Sequence, residues 1–342
     1  MKRETILNVR PLGFPWPTQD PFLVCVHHVD HYPRGNDRLG PDASLSGRNI
    51  GQDFEGKDGW RMYHGDVVPG FPQHPHRGFE TVTFIREGHI DHSDSLGATA
   101  RFGRGDVQWL TAGAGIVHSE MFPLLDADKP NGLELFQIWL NLPAKSKFAA
   151  PYFTMFWDAD VPKQRVIDAG GSHTTVTVIA GELDGAKPPA PPPDSWAADP
   201  SAEVAIWQIV LEPSAVWTVP PARDPRTSRT IYFFAGSQIE IDGRTAAQQA
   251  AIEVVADRPL RLAAPDGPVE VLMLQGRPIG EPVAQYGPFV MNTRPELEAA
   301  FADYRRTQFG GWPFSSDDPV HPRGRGRFAK HADGRVEEAT AR

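Results

Sequence analysis

The stretch Glu80–Ile85, with the sequence ETVTFI, sets the pattern from which the fold of this chain is predicted. It is short, rich in β-branched and aromatic residues, and lies between Gly78 and Gly88. Further runs share these features: Leu133–Leu142 (LELFQIWLNL), Thr174–Ile179 (TTVTVI), Val204–Leu211 (VAIWQIVL), Thr230–Phe234 (TIYFF) and Val269–Leu274 (VEVLML). Many short strands separated by Gly and Pro turns are typical of sandwiches and barrels, so the sequence predicts an all-β protein.

The predicted strands fall into two sets, one at residues 67–142 and one at residues 174–275. The chain has 342 residues, and a single core rarely grows beyond about 250–300 residues. Two packed units are therefore expected. A proline-rich run within the second set, Lys187–Asp194 (KPPAPPPD), is either a loop insertion or a domain linker.

One segment, residues 294–308, is typical of a helix. Thr293 and Glu296 form a capping box in front of it, and Gly310 and Gly311 follow it. The sequence thus predicts three regions: 1–150, an N-terminal barrel wrapped by the first part of the chain; 151–311, a second barrel with the helix; and 312–342, a polar and mobile tail.

The composition excludes several classes of protein. With 34 Lys and Arg against 43 Asp and Glu, the formal net charge is -9, so the chain lacks the broad basic face that non-specific nucleic-acid binding needs. The arginine-dense run Arg323–Arg327 is interpreted as a solvated terminus rather than a nucleic-acid-binding arm. The single cysteine, Cys25, cannot form an internal disulfide. Neither a signal peptide nor a membrane-spanning run is recognisable, so we expect a cytoplasmic protein with no membrane contact.

The histidines are concentrated in the first half of the chain, where nine of the 12 precede residue 119. Two patterns stand out there, His74-Pro75-His76 and His118-Ser119-Glu120. Residues i and i+2 of a strand project from the same face, so each pattern can direct two side chains at one point. Three imidazoles and one carboxylate suit Fe(II), Mn(II), Ni(II) or Zn(II). The first barrel is therefore predicted to bind a metal and the second is not.

Three segments resemble the pirin family of the cupin superfamily. The run His74–Val82 (HPHRGFETV) resembles the first signature of that family, and Gly105–Gly113 (GDVQWLTAG) with Gly115–Met121 (GIVHSEM) resembles the second. Gly287–Thr293 (GPFVMNT) and the helix after it are similar to the C-terminal element of the family. The resemblance implies a bicupin, two face-to-face, jelly-roll-like β-barrels with a C-terminal helix.

The resemblance also implies the ligand set. Carried over residue by residue, the ligands of one divalent transition metal are His74, His76, His118 and Glu120. Iron(II) is the expected metal, with Zn, Mn, Ni or Cu as alternatives.

Three further residues are candidates for supporting the ligands. Glu80 occupies about the place where other cupins carry a ligand glutamate, and its position on the strand is expected to point it inward. His92 lies between the two motifs, and His64 follows Tyr63. Hydrogen bonds from such neighbours orient metal ligands.

The resemblance implies two functions of different classes. Several bacterial pirins resemble quercetin 2,3-dioxygenases, which implies a small planar aromatic substrate such as quercetin, O2, a substrate oxyanion on the metal, and Glu120 as the catalytic base. The alternative is an iron-binding, redox-sensitive regulatory protein with a protein partner, as eukaryotic pirins are. A structural metal without turnover is a third possibility.

Overall fold

The computed structural model describes residues 4–339, and strands dominate it. The strands are β1 Ile6–Pro11, β2 Phe22–Tyr32, β3 Gly70–His76, β4 Phe79–Glu87, β5 His89–Asp94, β6 Thr99–Gly103, β7 Val107–Thr111, β8 Ile116–Met121, β9 Asn131–Asn141, β10 Tyr152–Phe156, β11 Lys163–Ile167, β12 His173–Ala180, β13 Ala205–Leu211, β14 Val216–Val219, β15 Ser228–Ala235, β16 Ile239–Ile241, β17 Arg244–Ala246, β18 Ala250–Val255, β19 Leu260–Ala263, β20 Val269–Gly276, β21 Ala284–Tyr286, β22 Phe289–Met291, β23 Phe328–Lys330 and β24 Val336–Glu338. The helix α1 is Arg294–Thr307, and short 3-10 turns occur at Lys57–Gly59, Ala144–Ser146, Trp196–Ala198, Pro200–Ala202 and Gln308–Gly310. All six quoted runs coincide with strands to within one residue, so the all-β prediction is confirmed.

The chain divides into two compact units whose boundaries differ from the predicted ones. The first unit consists of His27–Gln137, Leu142–Asp158 and the chain from Glu281 onward, and the second consists of the chain up to Val26, Ile138–Asn141 and Ala159–Gly280. Strand β1 pairs with β18, which assigns the N-terminal strand to the second unit rather than to a wrapping of the first. Residues 1–3 and 340–342, at the ends of the predicted regions, lie outside the described residues.

The first unit is built from two principal sheets. The six-stranded sheet has the order β24-β23-β6-β5-β8-β3, and the five-stranded sheet has the order β10-β7-β4-β9-β2. Neither order returns to its first strand, so the sheets are not closed into a continuous barrel. A core of buried apolar side chains, which includes Tyr63, Ile85, Leu110, Phe153 and Trp157, fills this unit.

The second unit repeats this plan with a seven-stranded sheet, β1-β18-β15-β20-β13-β12-β11, and a four-stranded sheet, β14-β19-β16-β17. Its core is aliphatic and aromatic, with Ile209, Phe233, Leu262 and Met273 fully buried. His173, at the start of β12, is its single histidine among the described residues. This distribution agrees with a metal site in the first unit only.

The helix α1 belongs to the first unit, although it was predicted to belong to the second barrel. Leu297 and Ala300 on its buried side form a cluster with Phe289 and Met291 of β22. A local sequence pattern can predict that a helix forms but not which sheet it packs against. The predicted capping box is present: the Thr293 side chain accepts from the Glu296 backbone N–H, and the Glu296 carboxylate accepts from the Thr293 backbone N–H. No helix among residues 4–339 is long and apolar enough to cross a membrane.

Replacing Thr293 with alanine is expected to lower the free energy of unfolding by about 1 kcal/mol, because an N-terminal N–H group loses its acceptor. Urea denaturation followed by circular dichroism measures this loss. Glu298→Ala, on the exposed side of the same helix, is the control and should cost less than about 0.5 kcal/mol. Equal losses in the two variants would contradict the role of the cap.

The tail after residue 311 is ordered on the first unit, in contrast to the predicted mobile terminus. Strand β23 pairs with β6, and Phe328 and Ala329 are buried. The buried guanidinium of Arg101 binds Asp91 and donates to backbone carbonyls of residues 321, 322 and 325. Strands of only three residues carry no readable alternation, which is why the sequence pattern did not reveal them.

Candidate metal centre

Three of the predicted ligands lie side by side on two neighbouring strands. His74 of β3 is directly opposite His118 of β8, and His76 lies two residues further along β3 on the same face. The ring centroids are 4.4 Å apart for His74 and His118, 4.8 Å for His74 and His76, and 4.9 Å for His76 and His118. All three ligand atoms lie within 4.8 Å of one another. This spacing allows one ion to contact all three rings.

Backbone carbonyls orient two of these rings. Nδ1 of His74 lies 2.9 Å from the carbonyl oxygen of Pro72, and Nδ1 of His76 lies 3.3 Å from that of Pro288. A carbonyl oxygen can only accept, so each Nδ1 carries the proton and donates it. In a neutral ring this leaves the lone pair on Nε2, which is the arrangement that a metal-binding histidine needs.

His118 provides the test of whether these residues fit a metal. Its side chain is fully buried, yet neither ring nitrogen forms a hydrogen bond with another described residue. A buried polar group without a partner costs about 1–3 kcal/mol. A metal bound to a lone pair of this ring would remove that cost. The donor set therefore fits a divalent transition metal.

The three imidazoles are held in the neutral form. Burial, together with the neighbouring histidines, lowers the pKa of His74 to about 4 and the pKa values of His76 and His118 well below their ordinary range, although the backbone hydrogen bonds of His74 and His76 act in the opposite direction. Neutral imidazole is the form that binds divalent metals.

Glu120 lies beside the three histidines but outside their close cluster. Its Oε2 is 3.8 Å from Nε2 of His118, which precedes Glu120 by two residues on β8. The Thr83 hydroxyl donates to Oε1 over 3.4 Å and the Gln137 amide donates to Oε2 over 3.5 Å. Burial raises the pKa of the Glu120 carboxyl to about 7, against the opposing effects of His92 and of these two donors.

His92 lies on the strand next to the ligands and faces the same side. On β5 it pairs directly with Glu120, and its Nε2 lies 3.2 Å from Oδ2 of Asp94, which pairs with His118. Its ring stacks on Phe153 with centroids 5.2 Å apart. His92 therefore lies on the same side of the sheet as His118 and Glu120.

His64 approaches His74 through an intervening phenylalanine ring. Its Nδ1 donates to the carbonyl of Gly51 over 2.7 Å. Its ring packs on Phe71, whose centroid lies 5.6 Å from His64 and 6.2 Å from His74. A phenylalanine ring therefore contacts both histidines.

Glu80 does not face the site, contrary to the expectation from its position in the sequence. Strand β4 pairs with β7 without a bulge from Glu80 to Phe84, so residues 80 and 83 project from opposite faces. Thr83 is the residue that contacts Glu120. The Glu80 carboxylate is fully buried and accepts from the Thr111 hydroxyl over 2.6 Å.

Sequence reasoning missed several polar residues on the inner face of the first unit. Thr83 and Gln137 contact Glu120, and the Thr83 hydroxyl also lies 2.6 Å from Oε1 of Gln137. Gln108 pairs with Thr83 across the β4–β7 ladder and is fully buried, and neither polar atom of its amide has a hydrogen-bond partner among the described residues. A glutamine inside the apolar run that forms β7 was the signal that could have found this position.

The C-terminal element supports the first ligand motif through Arg77. The guanidinium of Arg77 donates to the carbonyl of Ala114 and to the carboxylate of Asp303 on α1, each over 2.6 Å. The next residue, Gly78, has a positive φ of 85°, and a Cβ there would lie 2.0 Å from the carbonyl oxygen of Val290. Residues 76–78 are thus fitted closely against the segment that precedes the helix.

Replacing Arg77 with glutamine is expected to weaken metal binding about 10-fold, because Arg77 anchors the segment next to His76 to Ala114 and Asp303, and loss of outer support weakens metal sites by about 10- to 100-fold. Competition with a chromogenic chelator measures this affinity. Arg306→Gln is the matched control, because Arg306 pairs with the other carboxylate oxygen of Asp303 but is largely exposed. If Arg306→Gln weakened binding equally, the orienting role of Arg77 would be refuted.

Two family models match the chain, and together they cover more than half of its length. The family described as Pirin matches residues 49–140, and the one described as Pirin C-terminal cupin domain matches residues 206–310. The first range contains all four predicted ligands.

Several known proteins are similar to the chain. A Pseudomonas aeruginosa protein whose name assigns it, provisionally, as a quercetin 2,3-dioxygenase is 37% identical over 253 residues, which cover 70% of this chain and 80% of that protein. Pirin-1 of Arabidopsis thaliana is 35% identical over 248 residues, 70% of this chain and 78% of that one. A crystal structure of quercetin 2,3-dioxygenase from Acinetobacter baumannii has a TM-score of 0.70 at 24% identity and covers 90% of this chain and 98% of that chain. The predicted bicupin fold is confirmed by these matches.

Proposed function

The chain belongs to the pirin family, and from this premise we propose that it is a metal-dependent dioxygenase that acts on a flavonol such as quercetin with O2. The observation that carries the proposal is the fully buried His118, whose ring nitrogens lack hydrogen-bond partners among the described residues, in contact with His74 and His76. The name of the Pseudomonas relative gives the reaction class its support.

In this proposal His74, His76, His118 and Glu120 hold one divalent ion, with iron(II) as our choice and Zn, Mn, Ni or Cu as alternatives. When bound, such an ion supplies Lewis acidity that makes a hydroxyl more acidic. The three neutral histidines and one carboxylate would leave about one positive charge on the site, which favours an anionic ligand.

Glu120 is the group that we assign to proton transfer. As the only carboxylate of the set, it can accept the proton of a flavonol hydroxyl. Thr83 and Gln137 each contact one of its oxygens, and these contacts limit the positions that the carboxylate can take. Glu120 is only 5% exposed, so little bulk water reaches the base.

Aromatic residues beside His74 support a planar aromatic substrate. Phe71 lies 6.2 Å from His74, and Phe54 and His64 pack against Phe71. Aromatic side chains of this kind can stack on, or meet edge-on, the rings of a flavonol.

The proposal is tested by reconstitution. The protein is purified without oxygen, its metal content is measured, and Fe(II), quercetin and air are then added while quercetin loss and CO release are followed. Parallel samples receive Zn, Mn, Ni or Cu. The double variant His74→Ala/His118→Ala is the control for metal dependence.

Repeated turnover with release of CO that depends on the metal and is lost in the double variant is the expected result. One ion per chain without CO release would contradict the dioxygenase. It would favour the iron-binding regulatory protein instead, and the search would turn to its protein partner.

A further inference from the structure

Strand β3 carries a bulge directly before the ligand His74. Phe71 and His74 have register partners on β8, whereas Pro72 and Gln73 between them have none. Three residue steps along β3 thus correspond to two along β8. A bulge of this kind interrupts the ladder of hydrogen bonds and re-aims the side chains beside it. The direction of the His74 ring therefore depends on how the bulge is held.

The backbone of Asp317, in the C-terminal tail, binds the peptide group inside this bulge. The N–H of Gln73 donates to the carbonyl oxygen of Asp317 over 2.7 Å. The carbonyl of the same peptide group belongs to Pro72 and accepts from Nδ1 of His74 over 2.9 Å. Because a peptide group is planar and rigid, the contact with Asp317 fixes the plane of the acceptor that orients the ligand.

The side chains of Gln73 and Asp317 form a second hydrogen bond. Nε2 of Gln73 donates to Oδ1 of Asp317 over 2.7 Å. Two bonds between the same residues restrict the movement of the bulge relative to the tail. The hydrogen bonds also form a chain from Asp317 through the Pro72–Gln73 peptide to His74, and the members of such a chain polarise and strengthen one another.

The tail segment that carries Asp317 is itself anchored on the first unit. Val320 packs against a buried apolar cluster that includes Met121. The backbone N–H of His321 donates to the carboxylate of Asp91 over 2.7 Å. The carbonyl of Asp317 is therefore already in place before a metal binds, and the bulge gains its acceptor without ordering of a loose tail.

From these contacts we propose that Asp317 is a positioning residue of the metal centre, which acts on His74 through the Pro72–Gln73 peptide. The inference rests on the proposed ligand set but not on the reaction proposed for it. Asp317 lies beyond both family matches, which end at residues 140 and 310. The support for His74 thus comes from a part of the chain outside the matched regions.

The first readout is the affinity of the full chain for Co(II), measured by competition with a chromogenic chelator. Asp317→Ala is expected to weaken binding about 10-fold, the lower end of the effect of outer groups that orient ligands. Gln73→Met, which keeps the length of the side chain, should weaken it by a similar factor. Because both variants break the same bond, the double variant should bind Co(II) as tightly as either single variant.

Two further variants serve as controls. Asp317→Asn keeps an oxygen that can accept from Gln73, so its affinity should stay within about 2-fold of wild type. Asp333→Ala removes another exposed aspartate of the tail, which accepts from the backbone of Arg335, and should leave the affinity unchanged. Thermal unfolding shows whether each variant keeps the fold.

The second readout separates positioning from a general loss of stability. In the Co(II) form, the ring N–H protons of the bound histidines give shifted proton resonances that exchange with water. In Asp317→Ala one of these resonances is expected to exchange faster while the others keep their rates, because the hydrogen bond from His74 to Pro72 is loosened.

Unchanged Co(II) affinity and unchanged exchange rates in Asp317→Ala and Gln73→Met would overturn the proposal, as would an equal loss of affinity in Asp333→Ala. Additive losses in the double variant would also contradict it, because the two residues would then act independently. Wild-type protein that bound no Co(II) would refute the ligand set together with this inference. Wild-type protein that bound metal but released no CO would contradict the dioxygenase alone.

Discussion

The variant His118→Ala is expected to lower the metal content from about one ion per chain to below about 0.1 and to abolish quercetin turnover. The His118 ring contacts both other histidines, with centroids 4.4 Å from His74 and 4.9 Å from His76. Loss of an outer group that only orients a ligand already costs about 10- to 100-fold in affinity. Loss of a ligand itself should cost more.

The measurement is metal analysis after exposure to excess Fe(II) and removal of unbound ion. His31→Ala is the control, because His31 is exposed and lies on β2, outside the cluster. Thermal unfolding followed by circular dichroism shows whether the His118 variant keeps the fold. A folded His118→Ala protein that still bound one ion per chain would refute the assignment of the site.

The variant Glu120→Gln is expected to reduce turnover about 100- to 10,000-fold, the usual contribution of a positioned base. The amide cannot accept the substrate proton, although it has nearly the shape of the carboxylate and can still contact Thr83 and Gln137. Because it also removes the only carboxylate of the ligand set, a weaker loss of metal is expected beside the loss of turnover.

The experiment compares the rate of CO release per bound metal ion, so that loss of metal is separated from loss of the base. Glu80→Gln is the matched control, because Glu80 is also a buried glutamate. It lies on the face of β4 opposite to Thr83, the residue that contacts Glu120, and it accepts from Thr111. We expect Glu80→Gln to keep both metal and turnover. Full metal content with full turnover in Glu120→Gln would disprove the role of this carboxylate as the base.

Sequence periodicity was sufficient to predict the strands and one part of the candidate site. The alternation of side chains along a strand requires His74 and His76 to share a face, and likewise His118 and Glu120. The structure adds the pairing of β3 with β8 that sets His74 opposite His118. The capping box at Thr293 was equally local, and α1 begins directly after it.

The same parity argument failed for Glu80, because it needs to know which face of β4 is the inner one. That choice depends on the partner sheet and not on β4 itself. The inner residue is Thr83, which contacts Glu120. Gln137 reaches the site because its strand, β9, lies beside β4 in the sheet although the two strands are far apart in the sequence.

Local sequence patterns were enough to predict an all-β protein, a concentration of histidines in one half of the chain, and two strand motifs that can present metal ligands. These properties depend on residues a few positions apart, which backbone geometry relates directly. The unit to which β1 and α1 belong, the face on which Glu80 lies, and the position of the arginine-rich tail on β6 became evident from the three-dimensional structure. Those features depend on contacts between segments that are far apart in the chain. The free energy of such contacts comes from burial and strand pairing, which a local sequence pattern does not predict.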